Sequence, residues 1–285
     1  MLDALPIWYA LVVAFLFGTL VGSFLNVVIA RVPTGMSVVK PRSRCPGCER
    51  PIAGYDNVPI VSWLLLRGQC RRCGIRISPR YPFVELAVGL LAVAAVRQFG
   101  PSWWAVAAFG FLAVLVALTY IDLDHWLLPR SITIPFIAIG LGVSLIPGAP
   151  GIASSAMGAA AGFAAFVVLG FLAEKILKKE ALGGGDVWLL AMIGAWLGVE
   201  SLLPVVLLAS LQGAVIGGFL LIAARRRQQA TAMAPPKPTG DADLDDWVPP
   251  EGAVPFGPFL ALGAAEYLFF GERLVDWYLG LLAGG

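Results

Sequence analysis

The sequence is poor in charge. Only 13% of its 285 residues are Asp, Glu, Lys or Arg, whereas 59% are hydrophobic. A soluble domain typically has about 25% charged residues, so this composition excludes a disordered chain and argues against a soluble globular enzyme. Four long stretches contain no charged residue: 4–30, 98–121, 131–173 and 201–224. Because a membrane helix needs about 20 mostly apolar residues, the chain is predicted to be an all-α polytopic membrane protein.

Several catalytic motifs are also missing. His125 is the only histidine, and the sequence contains neither G-x-S-x-G nor H-E-x-x-H. These absences exclude the nucleophile elbow of serine hydrolases and the zinc-binding helix of metalloproteases. The fingerprint G-x-G-x-x-G is missing too, so the sequence indicates no Rossmann-type cofactor site.

Hydropathy predicts about eight transmembrane helices, near residues 5–30, 82–98, 103–121, 132–148, 155–174, 185–199, 201–224 and 255–271. The loops on one side carry 18 of the 20 Lys and Arg residues, ten of them in the loop 31–81. The opposite side holds only Arg97 and Arg273. Because Lys and Arg in short loops stay in the cytoplasm during insertion, the rich side is predicted to be cytoplasmic and both chain ends to lie outside.

Three parts are predicted along the chain: a first transmembrane helix at 1–30, a small cytoplasmic four-cysteine domain at 31–81, and a membrane domain at 82–285. The membrane domain includes a predicted flexible cytoplasmic linker at 225–254, which has too few apolar residues to fold alone. The linker's four aspartates are either solvated or bound to a basic partner. In the first helix, Gly18 and Gly22 are spaced for close helix approach, although glycine is also common in membrane helices.

All four cysteines lie in the four-cysteine domain, as the pairs Cys45-Pro-Gly-Cys48 and Cys70-Arg-Arg-Cys73. A C-x-x-C turn presents two thiolates to one metal ion, and two such turns complete a tetrahedral zinc site. The cytoplasm is reducing, which disfavours two structural disulfides. Because a closed four-cysteine site leaves no position for a reacting water, the predicted zinc is structural rather than catalytic.

Ionisable side chains in or beside membrane spans are costly and indicate function. Two aspartates stand out: Asp122, at the predicted cytoplasmic end of the third span, and Asp186, which follows three glycines at the cytoplasmic end of the sixth. Two neighbouring carboxylates share a proton, so the ionised member can activate water while the protonated member polarises a peptide carbonyl. The alternatives are helix capping or pairing with Arg130 and Lys179, and the residues alone do not separate Asp122 from Asp124.

At this point the chain resembles the bifunctional type IV prepilin peptidases, which are prepilin leader peptidase/N-methyltransferases of the GxGD type. The resemblance covers about residues 18–265 and both cysteine pairs. It is carried by six motifs in order, at 22–31, 51–68, 77–85, 121–129, 180–186 and 255–263. Two departures concern substrate contacts: Trp188 stands where the family often has Lys, and Arg130 where Asp is common.

The resemblance implies that Asp122, not Asp124, and Asp186 are the catalytic aspartates. It implies cleavage of the basic leader of a prepilin or pseudopilin after Gly at the cytoplasmic face of the bacterial inner membrane. The new N-terminal amine is then methylated with S-adenosylmethionine. For the methyl donor the resemblance offers only weak candidates, Arg76, Arg80 and Glu85, and Glu85 has the alternative of pairing with Arg80.

Two other functions are compatible with the residues. One is a peptidase for general-secretion pseudopilins, or one whose methyl-transfer half is inactive. The other is a non-enzymatic membrane scaffold or carrier with a zinc-ribbon loop. A carrier would place ionisable residues near the bilayer midplane and repeat its two halves, whereas here the carboxylates cluster at one face. The expected partners are the protein substrate and the lipid bilayer, with no nucleic acid.

Overall fold

The computed structural model describes residues 6–177, 183–231 and 254–283. Within these ranges the secondary structure is helical apart from turns and two isolated β-bridges. The described residues form nine α-helices: α1 Ile7–Arg31, α2 Val61–Leu65, α3 Arg80–Phe99, α4 Trp103–His125, α5 Arg130–Val143, α6 Ile152–Leu177, α7 Gly184–Leu197, α8 Leu202–Thr231 and α9 Gly257–Ala283.

The predicted all-α membrane fold is confirmed. The eight longer helices coincide with the eight predicted spans, and α2 belongs to the four-cysteine domain. By length and composition, α1, α3, α4, α6 and the helical segment Val199–Leu220 can cross a membrane. The 14-residue helices α5 and α7 are only about 21 Å long, against about 30 Å for the hydrocarbon core of a bilayer.

Helix α4 is the shared centre of the bundle. One side of it packs against α1 and α3 through Leu112, Ala113 and Ile121. The other side, including Phe111 and Leu118, faces an apolar cluster to which α5 to α9 contribute, and Phe111 stacks on Trp196 of α7. Because α4 is apolar all round and buried on two sides, it holds its C-terminal end, where Asp122 lies, in a fixed place.

Helices α1 and α3 cross at glycine contacts. A Cβ added to Gly18 would lie 2.8 Å from the α-carbon of Gly89, and one added to Gly22 would lie 2.7 Å from the α-carbon of Glu85. The close approach predicted from the spacing of Gly18 and Gly22 is therefore confirmed.

Two predicted boundaries differ from the structure. Helix α8 continues to Thr231, so the first residues of the predicted linker 225–254 are helical. Helix α9 runs on past 271 to Ala283, because no proline interrupts this segment. The four aspartates of the linker, Asp241, Asp243, Asp245 and Asp246, lie outside the described residues.

Candidate peptidase site, metal centre and cavity

Asp122 lies in the last turn of α4 and is buried, with 5% of its surface exposed. The backbone N–H of Gly257 donates a hydrogen bond to its carboxylate. Gly257 is the first residue of α9, and the first N–H groups of a helix have no partner within the helix itself. The carboxylate of Asp122 therefore satisfies a donor that the start of α9 leaves free.

Asp186 lies in the first turn of α7 and is also buried, with 9% exposed. Two of the glycines before it lie where a side chain would meet a neighbouring atom. A Cβ on Gly185 would lie 2.7 Å from Leu128 Cβ, and a Cβ on Gly183 would lie 3.2 Å from Asp186 Oδ2. The first glycine contact lets α7 begin against the segment that follows α4, and the second leaves space beside the carboxylate.

The fold brings the two aspartates to one site although 64 positions separate them. Leu128 packs against both Gly185, next to Asp186, and Gly257, next to Asp122. The charge of the Asp122 carboxylate acts on the carboxylate of Asp186, so the two side chains are neighbours. Three helix ends thus meet here: the end of α4 and the starts of α7 and α9.

Neither aspartate forms an ion pair among the residues that the structure describes. Arg130 is exposed and its Nη2 lies 3.8 Å from the position of a Cβ on Gly184, so it borders the site without pairing with either carboxylate. Lys179, the other predicted partner, lies outside the described residues. The pairing alternative for Asp122 and Asp186 therefore finds no support in this part of the chain.

Asp124 has different surroundings from Asp122. Its carboxylate accepts two hydrogen bonds from the guanidinium of Arg80, at 2.9 and 2.6 Å, and its side chain is one-third exposed. The same guanidinium lies over the ring of Tyr120, 4.6 Å from its centre. Asp124 thus joins α3 to α4 as an ion pair, and the predicted alternative of a pair between Arg80 and Glu85 is wrong.

Gly257 is the site residue that reasoning on chemistry from sequence missed. Gly257 contributes only a backbone N–H, and no pattern of side chains in a sequence predicts such a donor. The available signal was the motif at 255–263, which placed a glycine between Phe256 and Pro258. Of the two departures from the family pattern, Trp188 packs edge-on against Phe163 of α6, at 4.9 Å between ring centres.

The four cysteines form one cluster. Their sulfur atoms all lie within 4.8 Å of one another, and the sulfurs of Cys45 and Cys73 are 3.6 Å apart. Zinc–sulfur bonds of about 2.3 Å in a tetrahedron place sulfurs roughly 3.8 Å apart, so this donor set fits a tetrahedral metal ion. The predicted grouping of Cys45, Cys48, Cys70 and Cys73 is confirmed as geometry compatible with zinc.

The two C-x-x-C turns have matching backbones. In each turn the first cysteine N–H donates to a carbonyl five residues on, from Cys45 to Arg50 and from Cys70 to Ile75. Each turn also returns an N–H to the first cysteine carbonyl from a residue with positive φ, Glu49 in one and Gly74 in the other. A short β-bridge closes each turn.

Backbone donors in the second turn prepare a thiolate. The N–H groups of Cys73 and Arg72 lower the pKa of the Cys70 thiol to about 6. Although the backbone N–H of Ile75 acts to lower it, desolvation and the neighbouring thiols raise the pKa of Cys73 to about 11. A metal ion that binds all four thiolates therefore displaces protons from the cluster. Not every arginine near the cysteines is available to offset the negative charge of the thiolates. Arg71 forms a bidentate ion pair with Asp56, at 2.7 Å in its shortest contact.

The three weak candidates for the methyl donor do not form one group. Arg76 and Glu85 line a cavity of about 470 Å³ between α1, the four-cysteine domain and the start of α3. Arg80 points away from this cavity towards α4 and Asp124. The carboxylate of Glu85 accepts a hydrogen bond of 2.7 Å from the backbone N–H of Ile60.

Comparison with known proteins adds two family matches. Residues 16–99 match the Bacterial Peptidase A24 N-terminal domain, and residues 109–218 match the Type IV leader peptidase family. No solved structure matches the chain.

Three similar proteins carry the name prepilin leader peptidase/N-methyltransferase. The protein of Myxococcus xanthus is 40% identical, over 95% of this chain and 94% of its own length. Those of Burkholderia pseudomallei strain 1026b and Aeromonas hydrophila are 38% and 37% identical, over 99% and 95% of this chain and 91% and 94% of their own lengths.

Proposed function

Because the chain belongs to the type IV leader peptidase family, we propose that it is a membrane aspartic endopeptidase and N-methyltransferase that acts on prepilins or pseudopilins. It removes a basic leader after Gly and then methylates the new N-terminal residue with S-adenosylmethionine. The scaffold or carrier alternative is not favoured, since the similar proteins are named as enzymes.

One observation carries the peptidase proposal: Asp122 and Asp186 are buried at one site where three helix ends meet. One carboxylate, in its ionised form, takes a proton from water as the water oxygen adds to the scissile carbonyl carbon. The other, protonated, gives its proton to the carbonyl oxygen. The tetrahedral adduct then breaks at its C–N bond as the first carboxyl gives the proton that it took from water to the leaving nitrogen. The second carboxylate recovers its proton from a hydroxyl of the adduct as the new carboxyl group forms.

We place the site at the depth in the membrane where a prepilin would present its scissile bond. The starts of α7 and α9 and the end of α4 coincide with the predicted cytoplasmic ends of their spans. A substrate with a basic leader in the cytoplasm and an apolar helix in the bilayer would place its leader junction at this edge. We place the active site at the cytoplasmic face of the inner membrane and both chain ends outside, an orientation that reporter fusions to the two ends measure.

Two family models match successive parts of the chain, residues 16–99 and 109–218, and this supports two functional parts. We assign residues 31–81 to a methyltransferase-associated domain that four cysteines hold together around zinc. Residues 82–285 form the membrane peptidase domain. Because the metal fixes loop structure and has no open position, it takes no part in either reaction.

The test is cleavage of a purified prepilin by single variants. Asp122→Asn and Asp186→Asn are each expected to reduce the cleavage rate by a factor of about 10³ or more, because neither the base nor the proton donor can be replaced. The matched control is Asp124→Asn, two residues away, which breaks a surface ion pair worth about 1 kcal/mol or less. Mass spectrometry measures loss of the leader and gain of the methyl group separately.

Methylation of substrate that has already been cut is expected to survive both active-site changes. A normal cleavage rate in either Asp122→Asn or Asp186→Asn would show that the pair is not catalytic. A loss of cleavage in Asp124→Asn equal to that in Asp122→Asn would show that the assignment to Asp122 is wrong.

A further inference from the structure

The cavity beside Glu85 has the size and shape of a small-molecule site. Its volume of about 470 Å³ falls within the range of about 300–1,000 Å³ usual for ligand pockets. Its walls come from α1, from the four-cysteine domain and from the first two turns of α3. Its chemically informative lining residues are Asn26, Arg31, Arg44, Trp63, Arg76 and Glu85.

The cavity carries charges of both signs on different walls. Glu85 supplies a carboxylate that is 8% exposed, and the N–H of Ile60 holds one of its oxygens in place. Arg31, Arg44 and Arg76 come from the other walls, and none of them forms an ion pair in the described part of the chain. Such a layout suits a small dipolar ligand that has both a cationic and an anionic group.

An aromatic ring of the four-cysteine domain is held rigidly beside the cavity. The indole N–H of Trp63 donates to the carbonyl of Ile77 at 3.1 Å. The same ring packs against Gly68, where a Cβ would lie 2.8 Å from Cζ2. A ring fixed in this way offers a preorganised stacking surface for a planar heterocycle.

We infer that this cavity binds S-adenosylmethionine, an inference that rests on the proposed methyltransferase function. Glu85 faces the cationic end of the methyl donor, which carries a sulfonium and an ammonium group. The arginines serve its carboxylate, and Trp63 serves its adenine. Of the three residues that the sequence offered for the methyl donor, this assignment keeps Glu85 and Arg76 and excludes Arg80.

Helix α3 also joins this cavity to the C-terminal end of α4. Its first turn sends Arg80 to Asp124 on α4, and its second turn sends Glu85 into the cavity. The end of α4 that carries Asp122 is thus tied to the helix that supplies Glu85 to the cavity.

The test is equilibrium binding of tritiated S-adenosylmethionine to the purified full chain in detergent. Glu85→Gln keeps the shape of the side chain but removes its charge, and binding is expected to weaken about tenfold or more. Glu49→Gln is the matched control, because Glu49 is an exposed carboxylate of the four-cysteine domain that does not line the cavity. Its affinity is expected to equal that of the unchanged protein.

A second measurement does not depend on any variant. Ultraviolet cross-linking of the tritiated donor to the unchanged protein is expected to label the peptide that contains Trp63. Normal prepilin cleavage by Glu85→Gln would show that this variant is folded. If the variant does not fold, the position of the cross-link in the unchanged protein tests whether the donor binds in this cavity.

The outcomes separate the inference from the function beneath it. If the protein binds and uses the donor, but Glu85→Gln binds it normally or the label lies outside the cavity walls, this site is wrong and the methyltransferase proposal stands. If the unchanged protein cleaves prepilin but binds no donor, both the methyltransferase proposal and this inference are wrong.

Discussion

Gly257 brings the backbone of α9 against the carboxylate of Asp122. Its N–H is the donor to that carboxylate, so the position needs a close backbone rather than a particular side chain. A Cβ at this position would overlap Asp122 Oδ2 and would lie 3.2 Å from Leu128 Cδ1. A single methyl group is thus enough to move one half of the proposed dyad.

Gly257→Ala is therefore expected to reduce prepilin cleavage by a factor of about 10², because a misplacement of about 1 Å at a catalytic group has this effect. Gly110→Ala on α4 is the matched control, since a Cβ there meets no atom within 4 Å. The measurement is the initial cleavage rate, with thermal unfolding as a check on the fold. Equal rates for the two variants would contradict the role given to Gly257.

Sequence and structure each decided part of the site at this scale. The sequence indicated Asp122 and Asp186 as candidates because carboxylates are expensive beside a membrane. It did not separate Asp122 from Asp124, since both lie in the same turn. The structure separates them by their partners: Arg80 holds Asp124 in an ion pair, whereas Gly257 donates to Asp122.

Among the elements, α7 is short and almost completely enclosed. Its residues from Leu189 to Leu197 are all buried. It crosses α6 where Gly158 faces Gly194, so closely that a Cβ on either glycine would overlap the backbone of the other. The peptide backbones themselves are in contact, and this contact sets the position of the helix that carries Asp186.

Gly194→Ala is expected to destabilise the protein by about 1–3 kcal/mol, as overpacking of a close contact does. Gly217→Ala on α8 is the matched control, because a Cβ there meets nothing within 4 Å. Thermal unfolding in detergent, followed by tryptophan fluorescence, compares the two variants. Identical unfolding temperatures would mean that the crossing tolerates a methyl group.

Hydropathy located the eight helices outside the four-cysteine domain, but it did not predict how α5 and α7 pack. Both are too short to span a bilayer alone, and they pack against each other, with the indole N–H of Trp196 donating to the carbonyl of Phe136 at 2.8 Å. Hydropathy reports how apolar a segment is. It does not distinguish a helix that faces lipid from one that other helices enclose.

At the scale of the whole molecule, the zinc that we propose at the cysteine cluster also affects the proposed methyl-donor cavity. The cluster joins two turns that are 21 residues apart, and the domain that it holds forms one side of the cavity. A structural metal site of this kind contributes directly to the folding of its loop. Loss of the metal is therefore predicted to open the cavity as well.

Cys45→Ser is expected to lower bound zinc from about one ion per chain to a small fraction, because three thiolates do not close the site. Binding of S-adenosylmethionine is expected to fall with it. Elemental analysis measures the metal, and Glu49→Gln in the same turn is the control that keeps all four cysteines. Unchanged zinc content in Cys45→Ser would overturn the metal assignment.

The sequence by itself predicted that this is a membrane protein, where its apolar helices lie and which four cysteines lie together. Scarce charge requires a membrane, basic residues gathered in alternate loops predict an orientation, and two C-x-x-C pairs predict a metal. These features depend on residues that are close in the sequence, so composition and spacing are enough to predict them.

Only the tertiary structure decided which distant groups meet. It brought Asp122, Asp186 and the N–H of Gly257 to one point, and it placed Glu85 and Arg76 around one cavity while turning Arg80 away. The physical reason is that glycine contacts and the burial of α4 fix how the helices cross. Those crossings depend on pairs of surfaces that no single segment of the sequence contains.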